Sequence, residues 1–170
     1  PKISQVNNPA NGVWKNTNVT VKITATDNLS GVASYSFDNG SNWQTSNSKT
    51  YSSNGTYTIT AKAKDNATNV SSAVSGGTVK IDKSAPSVST VSGNPTSWTS
   101  SDVTLKVTAA DTGGSGVASY SFDNGDNWQS SASKTFSKNQ TVNIKVKDTA
   151  GNVSAVKEVK ITKIDKTAPT

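Results

Sequence analysis

Aspartates carry most of the chemistry that this chain can offer. Asp27, Asp65, Asp82, Asp111 and Asp148 lie in or beside short segments rich in Ser, Gly, Asn and Ala. Carboxylates in polar loops suit Ca²⁺, a hard cation that takes about six to eight oxygen ligands. Asp in the same setting also forms Asx turns, in which the side chain accepts hydrogen bonds from nearby backbone N–H groups. Choosing between these two roles requires knowing which loops share one end of the fold.

The remaining composition excludes most catalytic machinery. Histidine, cysteine and methionine are absent, and Glu158 is the only glutamate. Ser-His-Asp and Cys-His arrangements are therefore impossible, as are the usual zinc sites, and no Gly-rich phosphate loop is present. A glycosidase pair would need two aspartates in a cleft, but both halves of the chain carry the same acidic loops and neither adds a further acid. We predict that the chain is not an enzyme.

The net charge of +6 and the isoelectric point of about 9.5 raise the question of a polyanionic partner. All 17 basic residues are lysine, so the bidentate contacts that arginine makes with phosphate and guanine are unavailable. Pairs such as Lys62 and Lys64 alternate along predicted strands. We predict solvated strand faces and no nucleic-acid partner, with a polyanion site as the alternative. No apolar run approaches the roughly 18 residues of a membrane span.

The chain repeats itself at about half its length. Ile81-Asp82-Lys83-Ser84-Ala85-Pro86 returns as Ile164-Asp165-Lys166-Thr167-Ala168-Pro169, and Trp14 returns as Trp98. A repeat this long is a complete domain and not one turn of a solenoid. We predict two domains, residues 1–85 and 86–170, and we expect the chain to be part of a longer array.

Alternation of apolar and polar residues with period two dominates both copies, and helical periodicity is nowhere sustained. Asp38-Asn39-Gly40 and its repeat Asp123-Asn124-Gly125 supply the Asn-Gly dipeptide of a tight hairpin. Together these signals predict an all-β chain with about seven short strands per copy in a Greek-key sandwich. The predicted inward positions include Val21, Ile23, Tyr35, Phe37 and Ile59 in the first copy and Leu105, Val107, Tyr120, Phe122 and Ile144 in the second.

Four motifs in fixed order give a resemblance that covers the whole chain. They are the Asp-x-x-Ser-Gly-Val loop at Asp27, the Tyr-x-Phe-Asp strand followed by a Trp, the Lys-Asp-x-Ala-Gly-Asn turn at Asp148, and the closing Ile-Asp-Lys-Thr-Ala-Pro. The set resembles the bacterial immunoglobulin-like (Big-type) repeats of secreted and cell-surface proteins. The resemblance implies tandem immunoglobulin-like sandwiches outside the cell, on adhesins or extracellular enzymes. Thr68 stands where the turn has Gly151 in the second copy, so we expect a looser or differently shaped turn there.

On such a sandwich the loops that hold Asp111 and Asp148 lie at the end where the chain enters the domain, and Asp82 arrives there from the preceding copy. Three carboxylates close together repel one another unless a cation lies among them. We therefore predict a Ca²⁺ ion held by Asp82, Asp111 and Asp148. Asp27 and Asp65 would form a half-site, and Asp165 would serve a following copy. The alternative is that these aspartates only form turns and pair with Lys83.

The expected function is that of a structural spacer or stalk, a monomer whose partners are adjacent immunoglobulin-like repeats of the same chain. The alternative functions are a module that binds glycan or a host protein, and an accessory domain of an extracellular enzyme. Trp43 and Trp128 are interpreted as hairpin packing residues more than as sugar-stacking residues. Trp14 and Trp98 are interpreted as plugs at one end of each sandwich.

Overall fold

The structure is a computed structural model that describes residues 1–169, which form two compact units. The first unit is Pro1–Lys83 and the second begins at Ser84, two residues before the start predicted from the repeat. Both units are built from β-strands, as the alternation predicts. Within residues 1–169 no helix has the length and apolar character needed to cross a membrane.

The first unit is a sandwich of a three-stranded and a four-stranded sheet. Strands β1, β3 and β5 form one sheet in the order β1-β3-β5, and the other has the order β2-β7-β6-β4. The chain changes sheet between β3 and β4, again between β4 and β5, and again between β5 and β6, which gives an immunoglobulin-like Greek key. The strands are β1 Lys2–Asn7, β2 Trp14–Lys15, β3 Val19–Thr26, β4 Val32–Ser36, β5 Ser48–Tyr51, β6 Gly55–Asp65 and β7 Val74–Ile81.

The second unit repeats this topology with two three-stranded sheets, β8-β9-β11 and β10-β12-β13. Its counterpart of β2 is reduced to one parallel bridge between Thr99 and Ile164. The described part of this unit therefore has six strands instead of the seven expected. They are β8 Ser87–Ser92, β9 Val103–Ala110, β10 Val117–Ser121, β11 Ser133–Phe136, β12 Gln140–Asp148 and β13 Lys157–Ile161.

Each unit has its own hydrophobic core, built from the inward positions of alternating strands. Ile23 and Ile59 are fully buried in the first unit, and Leu105 and Ile144 are fully buried in the second. Every residue of each core cluster comes from its own unit, so the predicted pair of separate cores is confirmed. Tyr35 and Tyr120 are partly buried and pack against the edge of these cores.

A short hairpin folds over the outer side of β4 in the first unit. Asn39 and Gly40 both have positive φ, 61° and 94°, which the predicted Asn-Gly sequence adopts easily. The buried Ser36 hydroxyl donates to Asp38 Oδ1 at 2.8 Å and accepts from the Gly40 N–H at 2.8 Å. The second unit reproduces these contacts, with Ser121 in the place of Ser36. Asp38 is therefore a structural turn residue.

The two units differ where the last strand ends. Gly55 pairs with Ile81 in the first unit. In the second unit Gln140 pairs with Ile161, and two more residues precede Ile164, the equivalent of Ile81. The Asn139 side chain fills the gap, because its amide accepts from the Ile164 N–H at 2.8 Å and donates to the Ile164 carbonyl at 2.9 Å. A side-chain amide thus replaces a strand pairing.

Candidate cation site

The loops that carry Asp27 and Asp65 are tied to each other at the end of the first unit where the chain enters. The Asn66 N–H donates to the Gly31 carbonyl at 3.1 Å, and the Asn66 side chain donates to the Ser30 carbonyl at 2.7 Å. These bonds hold the Asp27 loop against the Asp65 loop. The predicted half-site residues are therefore brought to the same end of one domain.

Asp27 is held as a carboxylate by backbone donors and by a cation. Its Oδ2 accepts hydrogen bonds from the N–H groups of Ser30 and Gly31 at 2.9 Å and of Leu29 at 3.2 Å. Its Oδ1 lies 3.1 Å from the Pro1 ammonium. That ammonium, together with the backbone donors, lowers the pKa of Asp27 to about 2 despite opposing desolvation. The oxygen that turns away from the loop is the one that meets the positive charge.

Asp65 lies beside this cluster with 4% of its surface exposed. Asn69 donates to both of its oxygens, from the backbone N–H at 2.7 Å and from the side-chain amide at 2.8 Å. The side-chain bond from Asn69 is the largest cause that lowers the pKa of Asp65. The Asp27 charge raises that pKa and the Pro1 ammonium lowers it, so the two carboxylates and the ammonium act on one another. At this end of the unit Asp27 and Asp65 are therefore electrostatically coupled.

The second unit repeats the pair with Asp111 and Asp148, whose carboxylate oxygens approach to within 4.8 Å. Asp111 Oδ2 accepts from the Gly116 N–H at 2.8 Å. Asp148 is buried and accepts from the N–H and the side-chain amide of Asn152 at 2.8 and 2.7 Å. A bond of 3.0 Å from the Thr149 N–H to the Gly116 carbonyl joins the two loops. Asp111 and Asp148 thus accept hydrogen bonds within their own loops and also lie close to each other.

Asp82 lies where the chain leaves the first unit, and its N–H donates to the Lys15 carbonyl at 2.9 Å. Lys83 follows it, and its ammonium is 2.5 Å from Asn18 Oδ1. At the matching place in the second unit the Asp165 N–H donates to the Thr99 carbonyl at 2.9 Å. The backbone thus fixes both aspartates at an exit. Shared coordination of one ion by Asp82, Asp111 and Asp148 stays a prediction.

The turn at Thr68 has the same shape as the turn at Gly151, which corrects the expectation of a different one. Thr68 has a φ of 71° and Gly151 a φ of 96°, both in the left-handed region. The Thr68 N–H donates to the Asp65 carbonyl at 3.1 Å, and the Gly151 N–H donates to the Asp148 carbonyl at 3.3 Å. The turn is held by the Asp-Asn bonds around it, so Thr68 accepts the strain.

The tryptophans divide into packed and open positions. The Lys64 ammonium lies 4.2 Å from the Trp43 ring centroid, and Lys147 repeats this at 4.0 Å from Trp128. These contacts agree with the packing interpretation. The two lysines were not predicted from the sequence. The signal that could have found them is the pair of lysines two residues apart, Lys62 and Lys64, on the strand beside the hairpin.

The plug interpretation is wrong for Trp98, which is 69% exposed. Trp14 is half-buried, with the Lys80 ammonium 5.8 Å from its ring centroid. The equivalent lysine of the second unit, Lys163, donates instead to the Thr96 carbonyl. That lysine therefore does not cover Trp98.

Comparisons with known proteins support the fold more than any single activity. No family model matches the chain. Chitinase A1 from Niallia circulans is 34% identical over 164 residues, which cover 85% of this chain but only 23% of the chitinase.

Two solved structures are similar to almost the whole of this chain. A 282-residue C-terminal fragment of intimin, solved with the intimin-binding domain of the translocated intimin receptor, has a TM-score of 0.51 at 11% identity, covering 97% of this chain and 65% of that one. The fibronectin(III)-like modules of CbhA from Clostridium thermocellum have a TM-score of 0.45 at 15% identity, covering 95% and 94%. The intimin fragment therefore shares the fold of this chain, and at 11% identity it shows the fold alone.

Proposed function

We propose that the two units are non-catalytic spacer repeats of the Big type in a bacterial extracellular or cell-surface protein. The observation that carries this proposal is the position of the chain ends within each unit. Pro1 enters beside Asp27, whereas the chain leaves after Ile81, which pairs with Gly55 at the far end of β6. Ten residues of β6 separate that end from Asp65, about 34 Å at roughly 3.4 Å per residue. Entry and exit at opposite ends suit a linear array.

The second part of the proposal is that Ca²⁺ stiffens the array. Asp82, Asp111 and Asp148 would bind one ion through carboxylate oxygens, with loop carbonyls completing the shell. The backbone donors that hold Asp111 and Asp148 orient the carboxylates without neutralising them, and each oxygen keeps a second lone pair for a metal.

Calcium binding is tested by calorimetry and by thermal melting of the whole chain with Ca²⁺ and with EDTA. We expect one firm ion per chain, since Asp27 and Asp65 form only a half-site. Binding to the folded form alone raises stability by RT ln(1 + [L]/Kd), about 2.7 kcal/mol at a hundredfold excess over Kd. Asp82→Asn and Asp111→Asn should each abolish the gain. Asp126→Asn is the matched control, because Asp126 is exposed in the hairpin loop of the second unit.

Stiffening has a separate readout in small-angle scattering of the same samples. The maximum dimension of the particle varies as the two units move relative to each other. We expect the range of maximum dimensions in solution to become narrower when Ca²⁺ is added to the unaltered chain, and to stay broad in Asp82→Asn. If melting temperature and scattering are the same with Ca²⁺ and with EDTA, the aspartates are turn formers only.

A second candidate, favoured by the similarity to chitinase A1, is an accessory module of an extracellular enzyme. The missing histidine and cysteine agree with a non-catalytic part in such a protein. The sequence that flanks this chain in its gene separates the two candidates. A catalytic domain beside the repeats would support the accessory function, and a wall anchor or further repeats would support the spacer.

A further inference from the structure

The outer face of β6 in the first unit is a row of hydroxyls and ammonium groups. Side chains alternate along a strand, and the burial of β6 follows this period, so one face of the strand is polar. Eight residues separate the first and last members of the row, about 27 Å at roughly 3.4 Å per residue. That length accommodates several sugar rings laid end to end. The members are Thr56, Thr58, Thr60, Lys62 and Lys64.

A tryptophan stands at each end of this row. Trp43 lies under the Lys64 ammonium, at 4.2 Å from its ring centroid. At the other end Trp14 pairs in register with Lys80, which in turn pairs with Thr56. The Lys80 ammonium is 5.8 Å from the Trp14 ring centroid. Both rings therefore lie on the polar face and hold lysine side chains in place.

The lysines of this face, Lys62, Lys64 and Lys80, are not part of the ion pairs found in residues 1–169. Within residues 1–169 no carboxylate lies within salt-bridge distance of Lys62, Lys64 or Lys80. The four acids of the first unit are engaged elsewhere, and Asp38, the acid of the neighbouring hairpin, accepts from Ser36 and Asn42. A cation–π contact restrains a lysine without neutralising it. The result is a preorganised cationic face.

We propose that this face of the first unit binds a linear polysaccharide whose sugars carry carboxylates. Lys62 and Lys64 lie two residues apart on one face of β6, with about 7 Å between their Cα atoms, so they place two positive charges along the path of an extended anionic chain. The row of threonine hydroxyls matches the hydroxyls of a sugar, since each donates and accepts. Indole rings at both ends offer apolar edges to sugar rings. This activity goes beyond the spacer function and does not depend on calcium.

The second unit contains a natural contrast. Lys145 and Lys147 occupy the positions of Lys62 and Lys64, and Lys147 lies over Trp128. The centre of the face differs, because Glu158 pairs with Asn143 where Ser75 pairs with Thr60 in the first unit. Glu158 also pairs with Lys160 at 3.5 Å. A carboxylate in the middle of the face repels an anionic chain, so binding should favour the first unit.

The test is titration calorimetry of the whole chain with an oligogalacturonate of about eight sugars at low salt. We expect the double variant Lys62→Gln/Lys64→Gln to weaken binding at least tenfold. The matched control Lys2→Gln/Lys22→Gln removes the same charge from the other sheet of the same unit, where both lysines are exposed, and should change the affinity less than twofold. Glu158→Gln should add a second binding site of comparable affinity.

Two further arms identify the ligand class. A neutral cello-oligosaccharide of equal length should not bind, and an oligothymidylate of equal charge should bind at least tenfold more weakly than oligogalacturonate. Amide chemical shifts should move at Thr56, Thr58 and Lys62 and much less in β12. Absence of oligogalacturonate binding at millimolar concentration, equal losses in the two double variants, or preference for oligothymidylate would each overturn the proposal.

Discussion

Replacing Thr68 by glycine should stabilise the first unit. Thr68 is an exposed, β-branched residue with a φ of 71°, where an L-residue costs about 1–2 kcal/mol. Glycine removes that cost but adds about 0.4–1 kcal/mol of conformational freedom to the unfolded chain. The expected net gain is about 1 kcal/mol. For a domain of this size that gain raises Tm by about 4–8 °C.

Two further variants make the measurement specific. Gly151→Thr places the same residue in the same turn of the second unit, and should destabilise that unit by about 1 kcal/mol. Ala67→Gly, at the exposed neighbouring position without positive φ, should only add unfolded-state freedom and so destabilise the first unit. Urea unfolding, with amide hydrogen exchange to separate the two units, reports each value. A Thr68→Gly variant that loses as much stability as Ala67→Gly would refute the reasoning.

Core and pH predictions follow from the same structure. Ile23→Ala removes a fully buried side chain and should destabilise the first unit by about 2–5 kcal/mol, leaving hydrogen exchange in the second unit unchanged; equal loss in both units would contradict separate cores. The pKa values of Asp27, Asp38 and Asp123 lie at about 2, below the ordinary 3.8, so the stability they contribute is present above about pH 4 and lost as the pH falls towards 2. Melting followed from pH 5 to pH 2 checks this, and Asp123→Asn should flatten the profile of the second unit.

The strands and the hairpins could be predicted because local patterns determine them. Alternation places Ile23 and Leu105 inward, and Asn39-Gly40 suits a turn with two positive φ angles whatever surrounds it. The repeat also located the boundary between units to within two residues. These features need no knowledge of distant contacts.

Other features escaped prediction because they depend on partners far along the chain. The short strand β2 is defined by its pairing with β7, some 66 residues later, and its two residues carry no alternation of their own. Trp98 is exposed although the matching Trp14 is half-buried, and the matching lysines Lys163 and Lys80 have different partners. The aspartates at the candidate cation site were found from their loops, but a loop sequence does not show whether a carboxylate only accepts Asx bonds or also faces a second carboxylate. Sequence alone therefore could not separate the two roles.

The parallel pairing of β2 with β7 has a mechanical consequence. Trp14 pairs with Lys80 and Lys15 with Ile81, and the Asp82 N–H continues the ladder to Lys15. When the first unit is pulled from both ends, tension draws β2 backwards from its N-terminal side and β7 forwards from its C-terminal side. Two parallel strands loaded in opposite directions slide past each other, so their hydrogen bonds must break together. The first unit thus meets stretching force between β2 and β7 in shear, where a ladder resists most, and not by peeling one bond at a time.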